Sequence, residues 1–182
     1  MFNKKKFPKN PRPKLPLSVN QQRDLLKGDL DFPKALIRMI LSTGMHPCVF
    51  ERPDQYGITW NDKYYTWVRP KNNKAIQGNW SKAMQEPGIL DILKTKMKRS
   101  REWYFMIVRD RGKEVGIKGL CPLQLRHAYF VNRARLGHNA FDISHGAGTG
   151  MDVIYKHYTI GMGESKSLSQ EDRGFLEWLM ET

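Results

Sequence analysis

Two stretches of this 182-residue chain gather side chains suited to handling a phosphate-like anion. One is Leu125-Arg126-His127; the other is GTGMDVIYKHY, from Gly148 to Tyr158. Gly137 lies 11 residues after Arg126, Thr149 23 after and Tyr158 32 after, so Thr149 and Tyr158 are 9 apart. Upstream stand Thr43-Gly44-Met45-His46-Pro47 and a basic turn, Arg69-Pro70-Lys71, with Lys74 close behind. An arginine fork grips two anionic oxygens at once, a deprotonated phenol is a nucleophile, and an ammonium group can deliver a proton. Tyr155, ten residues after His145, offers a second phenol–imidazole pairing.

The coupled spacing resembles the C-terminal part of the tyrosine recombinases, the phage- and archaeal-type integrases, over roughly residues 18–160. The match lies in the LRH box, the later glycine, the G-T turn and the K-H-Y ending. Thr43–Pro47 resembles the family's first TG-x-R-P box, and Lys71 falls where the family carries its β-hairpin lysine. The resemblance implies phosphoryl transfer through a covalent 3′-phosphotyrosine, with double-stranded DNA as partner and no cofactor or metal. It makes Tyr158 the nucleophile, Arg126 the clamp on the non-bridging oxygens and Lys71 the general acid. His46, Thr149 and His157 complete the set, with Tyr155, His145 and Lys74 as the alternative residues. His127 takes a structural role.

Four positions depart from the family pattern. His46 stands in place of an arginine, Val49 of a glutamate, Leu123 of a histidine, and Thr149 of a late histidine or tryptophan. An imidazole donates one hydrogen bond but is not a permanently charged fork, and leucine donates nothing. Arg52 and Arg69 are the nearby candidates to restore the missing charge. The departures predict a slowed or specialised enzyme; the alternative is a catalytically degenerate DNA-binding module on the same fold. A metal nuclease using His127, His138, His145 and His157 is a weaker third reading, because their spacing lacks a metal-ligand pattern.

The composition sets the background. Thirty-one Lys and Arg against 18 Asp and Glu leave a net charge of +13, which favours a polyanionic partner through counterion release. Lys94, Lys96, Lys98, Arg99 and Arg101 form a basic run, continued by Arg109, Arg111 and Lys113 and later by Arg133 and Arg135. It is expected to fix DNA register through phosphates. Cys48 and Cys121 cannot build a disulfide framework. No apolar run approaches the ~20 residues of a membrane span, and no secretory leader is visible, so the expected setting is cytoplasmic.

These residues must be positioned by an α+β fold, mainly helical with a small three-stranded antiparallel sheet. Residues 1–17, basic and proline-rich, read as an arm or interdomain linker, and 18–182 as the catalytic domain. The resemblance implies a further DNA-clamping domain preceding the catalytic one. Ser18 with Gln21 predicts a capping box, and Asp31, Pro33 and Gly44 bound a helix over 33–43. Alternating β-formers between Ile58 and Gln77 predict the three strands. Helices are expected over 89–97, 122–136, 141–144, 151–157 and 168–180, with 103–108 either helix or strand. The last helix is expected to close the core or to dock on a neighbouring protomer of a homo-oligomer on DNA.

Overall fold

The computed structural model describes residues 16–46, 48–68, 73–155 and 167–182. Its centre is α2 (Phe32–Thr43), where Leu36, Ile37, Met39, Ile40 and Leu41 are all fully buried. FPKALIRMILST is apolar on nearly every side, and such a helix is stable only when surrounded. Helices α1 (Val19–Leu26), α4 (Ile89–Lys94), α5 (Arg101–Glu114), α6 (Pro122–Arg135) and α8 (Gln170–Met180) pack against it. Two shorter helices, α3 (Cys48–Glu51) and α7 (Ala140–Gly146), carry the chain into and out of the turns described below. Residues 151–155 are also helical.

The expected capping box is present: Gln21 N–H donates to Ser18 Oγ and Ser18 N–H to Gln21 Oε1. Leu17, assigned above to the arm, is instead core, at 2% exposure. The strands are β1 (Thr59–Trp60), β2 (Tyr64–Val68) and β3 (Ala75–Asn79), paired antiparallel in that order. Thr59 faces Thr66, and Trp67 faces Ile76. Tyr65 and Trp67 point inward, so these two aromatics are core rather than base-stacking surfaces, while Tyr64 remains 42% exposed.

Residues 103–108, open between helix and strand, are helical. Ser100 Oγ caps Trp103 N–H, and the buried Tyr104, Val108 and Gly112 recur every four residues along one face of α5. That period outweighs the strand preference of Trp-Tyr-Phe. Arg111 leaves the expected phosphate-facing run. Its guanidinium donates to the carbonyls of Asp24, Leu25 and Lys27, closing the C-terminal end of α1.

The last helix folds onto its own chain. Leu176, Leu179 and Met180 are buried, and Lys82 and Ala83 N–H donate to the carbonyls of Glu181 and Trp178 at 2.8 and 3.0 Å. Its core-closing role is thus filled in cis.

Gly44 ends α2 with φ +64°, a left-handed conformation that disfavours any side chain. A Cβ there would also meet the Tyr129 ring at 2.5 Å. Gly44→Ala is expected to destabilise the fold by about 3 kcal/mol, combining backbone strain with overpacking. Equilibrium urea unfolding measures it, and a loss under about 1 kcal/mol would contradict this account of the turn.

Candidate active site

Arg126 sits in the second turn of α6, whose start is set by Pro122, and is 8% exposed. Its Nη1 donates to Gly44 O, the left-handed cap of α2, and its Nη2 to Ala147 O, the cap of α7, at 3.1 Å. The guanidinium also lies over the Phe130 ring at 5.3 Å. Both accepting carbonyls stand at helix C-termini, where the backbone presents partial negative charge. Arg126 therefore ties two turns of the candidate site together, far from the surface arginine that a helical position alone suggests.

The first turn is held by Thr43, whose hydroxyl donates to Met39 O at 2.7 Å and accepts from Met45 N–H at 3.1 Å. It delivers His46, whose Nδ1 accepts from Cys48 N–H at 3.2 Å. The ring proton of the neutral imidazole is thereby assigned to Nε2. Burial pushes the His46 pKa down to about 4, helped by the positive charges of Arg126 and Arg101. At neutral pH His46 is a one-proton donor, not an imidazolium.

The second turn, Ala147–Thr149, follows α7. Thr149 N–H donates to Ser144 O at 3.0 Å, and Ser144 Oγ donates back to Thr149 O at 2.7 Å. Lys74 from the β2–β3 connection, Phe141, Ser144, His145, Gly148, Thr149 and Met151 line an open cleft of about 250 Å³. Lys74, His145 and Thr149 thus line one cleft, with Thr149 two residues beyond the carbonyl that Arg126 holds. Phe141 and Ser144 were not singled out from sequence. Phe141 and His145 are four apart on one face of α7, with stacked rings 6.2 Å apart, and that spacing was the available signal. Tyr155, at the end of the helical residues 151–155, is 56% exposed. Tyr158, His157, Lys71 and Arg69 lie outside the described residues.

The basic residues divide. Lys94, Lys96, Lys98, Arg99 and Arg101 are exposed; Lys94 pairs with Asp91 and Lys98 with Asp54. Arg133 and Arg135 depart from the expected surface run because α6 is buried along most of its length. Arg135 is 5% exposed and donates to Asn132 Oδ1, and Arg133 is half-buried against the Tyr129 ring and within 3.3 Å of His138 Nε2. Arg52, one candidate for restoring charge, is engaged with Gln55 and Glu51. Leu123 is 43% exposed. Among the described residues, no three His, Cys, Asp or Glu side chains converge as metal ligands would, and no helix is long and apolar enough to cross a membrane.

No protein-family model and no curated protein matches the chain. Solved structures do. XerH site-specific recombinase bound to palindromic difH substrate, in a post-cleavage complex, superposes with a TM-score of 0.61 at 16% identity, over 87% of this chain and 53% of that one. The pre-cleavage XerH–difH complex gives 0.61 at 13% identity, over 81% and 51%. The chain spans about half the length of these recombinase chains, and the likeness is one of fold. The expected α+β architecture is therefore the observed one, shared with a site-specific recombinase.

A pKa of about 4 against an ordinary value near 6.5 means the unfolded chain binds the extra proton first. Stability contributed by neutral His46 is fully present above about pH 6.5 and is lost as pH falls toward 4. His138 is also pushed down, by burial and then Arg133, so the wild type must be compared with His46→Gln. The variant is expected to show a shallower fall in stability across this window, read by urea unfolding at stepped pH. Identical slopes would place His46 in solvent.

Proposed function

We propose that this chain is a DNA breaking-and-rejoining domain of the tyrosine-recombinase type. The observation that carries the reading is Arg126. A buried guanidinium joins the His46 turn to the Thr149 turn, beside a cleft containing Lys74, on a fold shared with a recombinase solved on DNA. In the proposed reaction the Tyr158 oxygen attacks a backbone phosphorus and the bond from phosphorus to the 5′-oxygen breaks. The phenolic proton passes to a base or to water, and the departing 5′-oxygen takes a proton from Lys71, with Lys74 as second choice. One phosphodiester is exchanged for another, so religation by the 5′-hydroxyl needs no nucleotide energy source. Arg126 stabilises the charge developing on the non-bridging oxygens, with the His46 Nε2–H, the Thr149 hydroxyl and His157 as further donors.

The exposed Lys94, Lys96, Lys98 and Arg99 supply the phosphate contacts that set register on duplex DNA inside the cell, where several copies assemble. Integration or excision of a mobile element is the biological task that this chemistry serves. A second reading, a DNA-binding module without cleavage, is favoured by neutral His46 and by Leu123, which offers no donor.

The test is a pool of randomised duplexes carrying single nicks, incubated with the protein in EDTA and resolved on a denaturing gel. A covalent adduct lost in Tyr158→Phe and kept in Tyr155→Phe is expected. The reverse pattern moves the nucleophile to Tyr155. Salt-dependent binding with no adduct selects the module, and cleavage that requires a divalent metal selects a nuclease.

A further inference from the structure

We propose that Arg101 is a second phosphate-binding guanidinium of the site, converging on His46 from α5 as Arg126 does from α6. The backbone makes this convergence specific. His46 leads directly into α3, and the segment before and into α5 is sewn to α3. Lys98 N–H donates to Phe50 O at 2.8 Å, and Tyr104 Oη donates to Phe50 O at 3.3 Å and to Lys96 O at 2.8 Å. Arg99 N–H donates to Tyr104 Oη at 3.4 Å, and the Phe50 and Tyr104 rings lie 6.1 Å apart. Arg101, the first residue of α5, is carried on this segment.

Two separate side chains register the same pair of cations. Arg126 and Arg101 both disfavour a proton on His46, and both favour ionisation of the Cys48 thiol against its burial. The acid acting on Cys48 is Glu51, which is paired with Arg52 at 3.9 Å. Elsewhere in the basic run and on α5, Lys94, Lys98, Arg109, Arg111 and Lys113 each have a carboxylate within 4 Å. Among the described residues Arg101 has no such ion pair; it is exposed and lies over the Phe105 ring at 5.2 Å.

Two guanidiniums around one neutral imidazole repel each other across a partly desolvated space. An anion between them reverses that repulsion, and the Nε2–H of His46 is left to donate to it. A phosphodiester fits this arrangement: Arg101 supplies a permanent charge where position 46 carries a neutral ring. On the proposed recombinase reading, this is the reacting phosphate.

The first experiment does not depend on cleavage. Inorganic phosphate is titrated into the protein while the His46 imidazole is followed by NMR. The expected result is a saturable shift and a raised His46 pKa, with affinity falling about tenfold or more in Arg101→Ala. Arg101→Lys, a point charge without the fork, keeps only part of that affinity. Circular dichroism checks that the exposed substitution leaves the helices intact. An unperturbed His46 in the wild type, or an equal response in Arg101→Ala, overturns the proposal.

The second experiment uses the duplex that yields a covalent adduct. Arg101→Ala is expected to slow adduct formation about 100-fold while duplex affinity changes far less. A contact remote from the reacting phosphate would lower affinity and leave the rate of the bound complex alone. Phosphate binding through Arg101 in a protein that forms no adduct upholds this site and removes the recombinase reading. Adduct formation indifferent to Arg101 does the opposite.

Discussion

The candidate site depends on one buried cation. Arg126 reaches from α6 to the carbonyls that end α2 and α7, and the turns carrying His46 and Thr149 begin at those carbonyls. A buried guanidinium is tolerated only when its charge and its N–H groups are answered. Here the answer comes from the backbone, and the same bonds that satisfy the arginine fix where His46 and Thr149 stand. Site geometry and fold stability are therefore not separable at this residue.

The same economy governs much of the basic content. A net charge of +13 suggests a uniformly cationic surface, yet several arginines are structural. Arg111 closes α1, Arg135 bonds within α6, and Arg38 is 7% exposed between Glu86 and the Trp178 ring. Of the basic residues that are exposed, Lys96, Lys98 and Arg99 lie in the α4–α5 connection, flanked by Lys94 and Arg101. That stretch is tied to α3, the helix following the His46 turn, by the Lys98 N–H bond to Phe50 O.

Local rules carried the sequence reading a long way. The capping box at Ser18, the Asp31–Gly44 boundaries of α2 and the three strands between 58 and 79 are each written in a few adjacent residues. The single turn of α3 was not legible, because four residues have no period to detect. The length of α5 was obscured by an aromatic cluster whose strand preference tertiary packing overrode. At the site, the Arg126–Gly44 bond joins residues 82 apart in the chain, and the cleft gathers Lys74 with His145 and Thr149 from distant segments, so neither is written locally. The nearness of Arg101 to His46 is of the same kind: nothing in either local sequence refers to the other.

The seating of the last helix sets what its release would cost. Its attachment runs in part through main-chain groups, the amides of Lys82 and Ala83 against the carbonyls of Glu181 and Trp178. Ala83 is fully buried, so if the tail leaves, that amide needs another acceptor or water must be let in. Release of this helix is therefore coupled to opening the core around Ala83, through main-chain bonds that no side-chain substitution removes.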